Sequence, residues 1–428
     1  MRRLVIVVVF LGFAVSSFAE KVFDCGVYLR LRQEYLMNAL NFDDDTPDDN
    51  YFRIKAGVWG RWNFSENVNL YVKLMSEPKI ALDTDGVLMS KGRDAWDDEI
   101  YVDNLYLDVK NLFGMPVDLR LGRQDFLMTH GEGFVIMDGT PYDGSRSFYF
   151  NAARATVKFN KKNSLDIIYV NDPPKDEYLP VINPQDRQIV RSDEEAFIFY
   201  GKFKPSDKFS LEPYYIYKFE DATTDRGALT INTVGNRAVL DFAPWRLRGE
   251  LAYQFGDYKD GSDREAWGGY TYLTRFFKEA KLSPSFEVGY AYLSGDDPDT
   301  ADDEGWNPVF SKWPWISELY VFGSAIERHE PGYWTNIQVF RAKLDMNLTE
   351  KTGLSLAYNY LRANENSVGP FFGTGDQRGH LAHIILTHKF TKNIDGHLHF
   401  EYFKPEDYYA VGNRDDAIFL RWQLQMQF

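Results

Sequence analysis

The sequence predicts an all-β protein, a transmembrane up-and-down antiparallel β-barrel of about eighteen strands. Three observations predict it: apolar and polar residues alternate in segment after segment, long and short connections take turns along the chain, and 16% of the residues are aromatic. Alternation with a period of two is typical of strands that have one apolar and one polar face. A membrane barrel needs apolar residues only on its outside, which explains a mean hydropathy as low as −0.41.

The start of the chain indicates secretion. Two arginines precede an apolar run over residues 4–15, and Ala19 supplies the small residue of a cleavage site. The run is too short to span a bilayer as a helix. We therefore interpret residues 1–19 as a signal peptide and residues 20–428 as a single barrel domain.

The charge balance excludes one class of partner. The chain has 48 basic and 63 acidic residues, and loss of two arginines with the signal peptide leaves a net charge of −17. So acidic a protein is not expected to bind nucleic acid. The single cysteine cannot form an internal disulfide, so the fold must be stable without one.

The alternating segments have the length that a tilted transmembrane strand requires. In each of them one parity is largely apolar and the other carries Arg, Lys, Glu or Gln. Clear examples are "VYLRLRQEY" (27–35), "YFRIKAGVWGRWNF" (51–64), "VNLYVKLMSE" (68–77) and "WRLRGELAYQF" (245–255). About eighteen segments fit, although the alternation is weak around 165–171, 229–241 and 266–277.

The connections between these segments predict the topology. Short ones cover 65–69, 111–116, 160–164, 204–208, 349–352 and 391–395, and long ones cover 36–50, 78–99, 126–146, 172–194, 294–333, 364–378 and 404–415. A barrel with both chain ends on one side has short periplasmic turns and long extracellular loops. A soluble β-sandwich, the alternative fold, has no reason to sort its loops in this way. Because lipid cannot satisfy an open sheet edge, the sheet must close.

The last segment, "DAIFLRWQLQMQF" (416–428), predicts how the barrel closes. Its apolar parity runs without a break to Phe428, so we expect it to be the closing strand. Phe428 is similar to the C-terminal signal by which the barrel-insertion machinery recognises outer-membrane proteins. The predicted location is therefore the bacterial outer membrane, with membrane lipid and lipopolysaccharide as the surrounding partners.

The polar parity should face the lumen, where basic residues outnumber acidic ones. The predicted pore-lining residues are Arg30, Arg32, Arg53, Lys55, Arg120, Arg154, Arg246, Arg248, Arg341 and Lys343. Two interpretations of these cations stay open. They can select anions in a water-filled channel, or they can brace the wall through ion pairs, because arginine is costly on the lipid face whatever the function.

The predicted size of the barrel raises the question of a plug. About eighteen strands enclose an aqueous channel. Loops that fold inward would narrow it, and we consider two candidate plugs, 78–99 and the aromatic-rich 306–334. The acidic residues concentrate instead in outer loops such as 42–50 and 295–305.

A run over residues 119–154, "LRLGRQDFLMTHGEGFVIMDGTPYDGSRSFYFNAAR", resembles the alginate-export family of outer-membrane barrels. The matching positions are Gly122, Arg123, Gln124, Gly131, Gly133, Asp143, Gly144, Arg146 and Phe148. The stretch "SGDDPDTADDEGWNPVF" (294–310) also looks like a loop of that family. The resemblance implies an eighteen-stranded barrel that exports an anionic polyuronate through an arginine-rich constriction. By this resemblance, Arg120 and Arg154, which flank the loop, are the constriction candidates. The prediction that Arg53 and Lys55 line the pore is supported by charge and parity alone.

Other chemistry has weaker support. No nucleophile motif indicates an enzyme, and we expect no cofactor. His383, His397 and His399 share the lumen parity, but a turn centred near residue 393 would place His399 beside Thr387, which is poor geometry for a metal site. Calcium is a candidate ligand of the acidic outer loops, although 295–305 lacks EF-hand spacing.

The functional prediction is an outer-membrane pore for passive diffusion or export of anionic solutes, above all an alginate-like polysaccharide. The alternatives are a general or small-anion porin, and a structural or adhesive surface barrel.

Overall fold

The protein forms a single β-sheet that closes on itself. A computed structural model describes residues 22–39, 41–82, 99–126, 128–137, 150–185, 188–224, 226–319 and 332–428. Its strands are β1 (Phe23–Met37), β2 (Asp49–Asn63), β3 (Val68–Ser76), β4 (Lys79–Ala81), β5 (Ile100–Val109), β6 (Val117–Gln124), β7 (Phe150–Lys158), β8 (Ser164–Asp172), β9 (Val181–Ile182), β10 (Glu194–Ser206), β11 (Phe209–Glu220), β12 (Leu229–Phe242), β13 (Trp245–Tyr258), β14 (Asp263–Phe276), β15 (Ser285–Leu293), β16 (Ile337–Asn347), β17 (Thr352–Arg362), β18 (Gln377–Lys389), β19 (Ile394–Pro405) and β20 (Ala417–Gln427). Two short 3₁₀ turns cover Leu112–Gly114 and Val411–Asn413. In the described ranges, no helix has the length and apolarity needed to cross a membrane.

The sheet closes through its first and last strands. Leu31 of β1 lies opposite Ile54 of β2 on one side and opposite Leu424 of β20 on the other. The short β4 and β9 pair only with β2 and β5, and the other eighteen strands each have an antiparallel neighbour on both sides. With both sides of every long strand paired, the sheet has no open edge. The predicted eighteen-stranded antiparallel barrel and its closing strand are confirmed.

The two parities face opposite sides of the wall. On β2, the apolar Val58 is 52% exposed on the outer surface, whereas Arg53 is only 8% exposed inside. On the closing strand, Trp422 lies outside and its neighbour Arg421 is buried inside. The outer face is therefore the apolar one, as a bilayer requires, and the polar face lines the lumen.

Weak alternation in the sequence has a structural cause. The weak segments lie in β8, β12 and β14, and the inner faces of β8 and β14 carry buried apolar side chains. Ile168 and Val170 of β8, and Tyr270 and Tyr272 of β14, belong to one hydrophobic cluster inside the barrel. Strands that are apolar on both faces lose the period-two signal.

The connections follow the predicted alternation, with two-residue to eight-residue turns at one end and most of the long loops at the other. Two connections depart from it, because only eight residues, 221–228, join β11 to β12 and only four, 259–262, join β13 to β14 at the long-loop end. The candidate plug 78–99 lies mostly outside the described residues, since 83–98 are not described.

The pairing of β18 with β19 corrects one sequence-based expectation. His399 was expected near Thr387, but it lies opposite Ile385, and His383 lies opposite Glu401. The register differs by two residues because the turn is tighter than expected, with Lys389 already paired to Asp395. His383 and His399 are consequently closer together than the sequence predicts.

Candidate functional site

Four of the predicted pore-lining cations form one patch on the inner wall. Arg30 lies opposite Lys55, and Arg32 lies opposite Arg53, on the neighbouring strands β1 and β2. Like charges placed directly across from each other destabilise a sheet. The patch therefore needs carboxylates, and two buried glutamates supply them.

Glu77 follows the end of β3 and serves three of these cations. Its Oε1 accepts a hydrogen bond from Arg53 Nε at 2.8 Å, its Oε2 lies 3.1 Å from Lys55 Nζ, and it also pairs with Arg30. The carboxylate is buried, with the whole residue 2% exposed. Three cations around one buried carboxylate brace the wall, and removing it would deprive each of them of a charge partner.

Glu34 of β1 holds the other side of the patch. Arg32 Nη1 donates to it at 3.0 Å, and Arg421 Nη1 of the closing strand donates at 3.2 Å. Arg421 also pairs at 2.6 Å with Glu318, which lies on a loop inside the barrel. The patch thus connects the seam between the first and last strands to the interior of the lumen.

The two constriction candidates lie side by side but differ in their partners. Arg120 of β6 is directly opposite Arg154 of β7. Arg120 forms a bidentate pair with Asp108 at 2.6 and 2.8 Å, and its guanidinium lies 4.0 Å from the ring centre of Tyr106. Arg154 has no carboxylate partner among the described residues. Both border a cavity of about 110 Å³, which Asp108 and Asp118 also line.

The two arginines predicted on β13 are also paired. Arg246 lies near the turn at 243–244 and binds Asp241 at 2.6 Å, with both side chains substantially exposed. Arg248 lies deeper in the barrel, where it binds Glu287 at 2.8 Å and also pairs with Glu132. Because both charges are compensated, neither arginine adds an unpaired charge to the lumen.

On β16, as for Arg120 and Arg154, one predicted cation is paired with a carboxylate and the other is not, among the described residues. Lys343 Nζ lies 2.9 Å from Asp345. Arg341 has no carboxylate partner in the described ranges, and its buried Nε makes no hydrogen bond there. Its guanidinium lies 5.9 Å from the ring centre of Tyr272. Of the ten predicted pore-lining residues, the structure thus pairs eight, and Arg154 and Arg341 have no carboxylate partner in the described part of the chain.

The lumen is partly filled by a segment that we call the plug segment (residues 306–319), from the loop between β15 and β16. It contacts opposite parts of the wall. Gln254 of β13 exchanges two hydrogen bonds with Asn307, at 2.7 and 3.0 Å, and Lys312 pairs with Glu194 of β10 at 3.2 Å. At its far end the backbone of Glu318 donates to Glu401 of β19 at 3.1 Å. The candidate plug at 306–334 therefore lies inside the barrel over its described part.

A second inward segment, which we call the support segment (residues 128–137), packs against the plug segment. Ile136 pairs with Phe310 in a parallel bridge, and Phe134 stacks on Trp306 with ring centres 5.1 Å apart. All four of these side chains are buried. Together the two segments form an apolar core inside a barrel whose wall is polar elsewhere.

Sequence reasoning missed Glu132 and Arg237, which tie the support segment to the wall. Arg237 of β12 binds Glu132 at 2.5 Å and Glu212 at 2.8 Å. Arg237 falls in a stretch of weak alternation, and nothing in the sequence places a loop carboxylate inside the barrel. The signal that was present is the pair Gly131 and Gly133, whose positive φ values of 69° and 76° turn the chain on both sides of Glu132.

The sequence matches the model of the family described as Alginate export over residues 22–368. The chain belongs to the alginate-export family. The match covers most of the chain, including strands β1 to β17 and both inward segments. No curated protein sequence matches the chain significantly.

Solved structures similar to this alginate-export barrel come from two pseudomonads. A BenF-like porin from Pseudomonas fluorescens Pf-5 has a TM-score of 0.61 at 12% identity, over 95% of this chain and 99% of that one. OpdL from Pseudomonas aeruginosa has a TM-score of 0.60 at 13% identity, over 95% of this chain and 99% of that one. OccK5 (OpdH) from the same species has a TM-score of 0.57 at 12% identity, over 95% of this chain and 98% of that one. These likenesses show the fold. With the family, they identify a multi-strand barrel of the outer membrane that forms a pore.

The residues that carry the alginate-export resemblance have clear structural roles where they are described. Gly122 has a φ of 118°, and a Cβ there would lie 2.2 Å from the backbone oxygen of Leu105. Arg123 forms a bidentate pair with Asp176 at 2.7 and 2.9 Å, which fixes the loop after β8. Gln124 donates to the backbone oxygen of Ala152 at 3.0 Å, and four further matching positions, Asp143, Gly144, Arg146 and Phe148, lie outside the described residues.

Two outer loops of this alginate-export barrel, one between β1 and β2 and one between β19 and β20, bring three carboxylates together. Oxygens of Asp43, Asp44 and Asp415 lie within 4.8 Å of one another. The neighbouring Asp415 carboxylate raises the pKa of Asp44 above its usual range. The acidic loop 295–305 is attached to the wall through Asp303, which pairs with the buried Arg264 of β14.

Proposed function

We propose that the pore conducts anionic solutes by passive diffusion or export, with an alginate-like polyuronate as the preferred substrate class. The family membership supports an export role for such a chain, and the charges of the inner wall support the anion preference. A carboxylated sugar chain suits arginine in particular, since guanidinium groups bind carboxylates in a planar, bidentate manner.

The observation that carries the proposal is the absence of a carboxylate partner for Arg154 and Arg341 in the described part of the lumen. The pairing of the other eight predicted cations supports the bracing interpretation for those residues. Anion preference therefore depends on the uncompensated guanidinium groups.

The acidity of the whole chain does not contradict this preference. The acidic loops 42–50 and 295–305 lie at the end of the barrel with the long connections. The field in the channel is set by groups near the ion path, because charges beyond roughly 8–10 Å are screened at physiological salt. Selectivity should therefore follow the inner wall, while the outer acids slow the arrival of polyanions from outside.

A second candidate function is a small-anion porin, and the plug segment favours it. Trp306, Val309 and Phe310 are buried across the lumen, so a sugar chain needs this segment to move, whereas a small ion can pass beside it. The two candidates differ in one measurable property, the ability of uronate oligomers to enter and block the pore.

Ion selectivity of the purified protein in a planar bilayer tests the proposal. Under a KCl gradient, the reversal potential should have the sign of chloride preference. Arg154→Gln and Arg341→Gln should each shift it toward cations, and high salt should weaken the preference of the parent by screening. Arg275→Gln is the matched control, because Arg275 lies on the outer parity of β14, stacked between Trp245 and Phe277.

Blocking measurements separate the two candidates. Oligomers of uronate should interrupt the parent current at lower concentration than neutral oligomers of equal length, and Arg154→Gln should reduce the difference. Equal block by both would favour the small-anion porin. A cation-selective parent would overturn the proposal altogether.

We also propose the expected partners of the outer surface. The apolar outer parity, with exposed residues such as Leu251 and Leu398, would contact membrane lipid, and the long loops would contact lipopolysaccharide. Phe428 would be read by the barrel-insertion machinery. In the folded barrel its backbone exchanges hydrogen bonds of 2.9 and 3.0 Å with Val27.

A further inference from the structure

Three metal-ligating side chains converge on the inner face of β18 and β19. His383 lies opposite Glu401, and His399 lies two residues before Glu401 on the same face. Glu401 Oε1 is 3.4 Å from His383 Nδ1 and 3.1 Å from His399 Nε2. The carboxylate and one nitrogen of each ring lie within 4.8 Å of one another. All three residues are buried, with Glu401 only 1% exposed.

These spacings suit a four-coordinate metal ion. Zinc binds imidazole nitrogens and carboxylate oxygens at about 2.0–2.2 Å, which places tetrahedral ligands roughly 3.4 Å apart. Two histidines and a glutamate match the ligand preference of zinc and of neighbouring divalent transition metals, whereas calcium and magnesium prefer oxygen alone.

The imidazoles are not fully used by other partners. The buried Nε2 atoms of His383 and His399 have no well-aligned hydrogen bond among the described residues. The rings are nearly parallel, with an interplanar angle of 24° and centres 6.1 Å apart. In this arrangement the nitrogen of His383 nearest the carboxylate is Nδ1, and that of His399 is Nε2.

The carboxylate also carries the contacts that a metal ligand usually has outside the metal. Glu401 Oε2 accepts a hydrogen bond from the Ser317 hydroxyl, and the Glu318 backbone N–H donates to both carboxylate oxygens, at 3.1 Å to Oε1 and 3.2 Å to Oε2; both donors are in the plug segment. Such contacts orient a ligand and raise its affinity for metal. They also mean that a metal bound to Glu401 would reinforce one attachment point of the plug segment.

Arg421 opposes cation binding at this position. Its guanidinium donates to His399 Nδ1 at 3.2 Å, and metal binding through Nε2 would place the ring proton on Nδ1 instead. Arg421 would have to give up this hydrogen bond, but it retains Glu34 at 3.2 Å and Glu318 at 2.6 Å. The arginine therefore lowers the affinity of the site without closing it.

We propose that His383, His399 and Glu401 form a binding site for a divalent transition metal, such as Zn²⁺, in the inner wall of the barrel. The site is separate from the proposed transport of anions, and neither depends on the other. Its occupancy would hold the end of the plug segment more firmly against β19.

Zinc binding to the full-length barrel in detergent, stripped with EDTA, tests the site. Titration calorimetry should show one zinc ion that is lost, or weakened more than about tenfold, in His383→Ala, His399→Ala and Glu401→Gln. Arg421→Gln should tighten binding, because the competing hydrogen bond and positive charge disappear. His388→Ala is the matched control, since this histidine is on β18 but pairs with Thr352 away from the site.

Three controls make the outcome decisive. Asp44→Asn removes the acidic outer cluster as a source of zinc binding, and heat-modified mobility in gels confirms that each variant is a folded barrel. Cobalt(II) absorbs visible light much more strongly in a tetrahedral than in an octahedral site, so cobalt-loaded parent should show a strong visible band that His383→Ala and His399→Ala lose. The proposal is overturned if folded His383→Ala and His399→Ala bind zinc as the parent does, or if the parent binds none.

Discussion

Arg120 and Arg154 lie directly opposite each other on β6 and β7, but among the residues that the structure describes only Arg120 is held by a carboxylate, Asp108, at 2.6 and 2.8 Å. The two arginines thus carry the same charge but have different structural roles. Arg120→Gln removes a bidentate pair, whereas Arg154→Gln removes only a cation.

The first prediction follows from this difference. Both substitutions should reduce anion preference, but Arg120→Gln should also lower the free energy of unfolding by about 1–3 kcal/mol, because charged hydrogen bonds are lost. Arg154→Gln should change it by less than about 0.5 kcal/mol. Urea unfolding of the refolded barrel in lipid vesicles measures the difference, and an equal loss of stability in both variants would contradict the assignment.

The second prediction concerns the plug segment. A Cβ added to Gly268 would lie 2.5 Å from Trp306, so Gly268→Ala should displace this buried ring and raise the mean conductance. Gly60→Ala is the control, because its methyl group meets only Phe23 and Trp62, at 3.0 Å or more. If single-channel recordings show the parental conductance for Gly268→Ala, the plug segment does not limit the current.

The third prediction concerns topology. An epitope inserted within 297–303 should be detected on intact cells, whereas one inserted at 204–208, beside the tight turn between β10 and β11, should be detected only after permeabilisation. The expectation follows from the sorting of long and short connections. If antibodies labelled whole cells in the reverse pattern, the barrel would have the opposite orientation in the membrane.

The fourth prediction concerns the acidic outer loop. Because the Asp415 carboxylate raises the pKa of Asp44, their repulsion costs stability above that pKa and disappears as pH falls through it. Asp415→Asn keeps an oxygen to accept the hydrogen bond from the Asp44 backbone at 3.1 Å, but it should lower the pKa of Asp44. Carboxyl NMR titration measures this. Calcium added to the parent should lower the same pKa if the three carboxylates bind it.

The fifth prediction concerns assembly. Phe428→Ser should reduce the amount of barrel inserted into the outer membrane, while barrels that do assemble should keep the parental stability. The reason is that the backbone of Phe428 pairs with Val27, whereas its side chain is 60% exposed. Gel mobility with and without heating measures both quantities. An undiminished yield of inserted barrel would argue against recognition of Phe428.

The barrel was predictable because a bilayer imposes a simple rule on the sequence. Alternation in β2 and β20 assigns Trp62 and Trp422 outside and Arg53 and Arg421 inside, and the structure places them so. The rule fails where the lumen is not filled with water. Tyr270 and Tyr272 look ambiguous in the sequence because their inner neighbours are the apolar residues of the two inward segments.

The partners of the inner cations were less predictable than their direction. Parity indicates that Arg248 points inward, but it does not reveal that Glu132, more than a hundred residues earlier, reaches it from a loop. In the same way, a two-residue difference in one turn separates the expected position of His399 from the observed one. Loop conformation and exact register depend on packing, which local sequence patterns do not encode.

The attachments of the plug segment have a mechanical consequence. The segment crosses the interior and contacts β10, β13 and β19. It therefore acts as a strut between parts of the wall that are otherwise connected only through the intervening strands. A closed sheet bends easily toward an ellipse under uneven lateral pressure, and a strut resists that change of shape. Opening the pore by withdrawing the segment would therefore soften the whole barrel, so that conductance and cross-sectional stiffness change together.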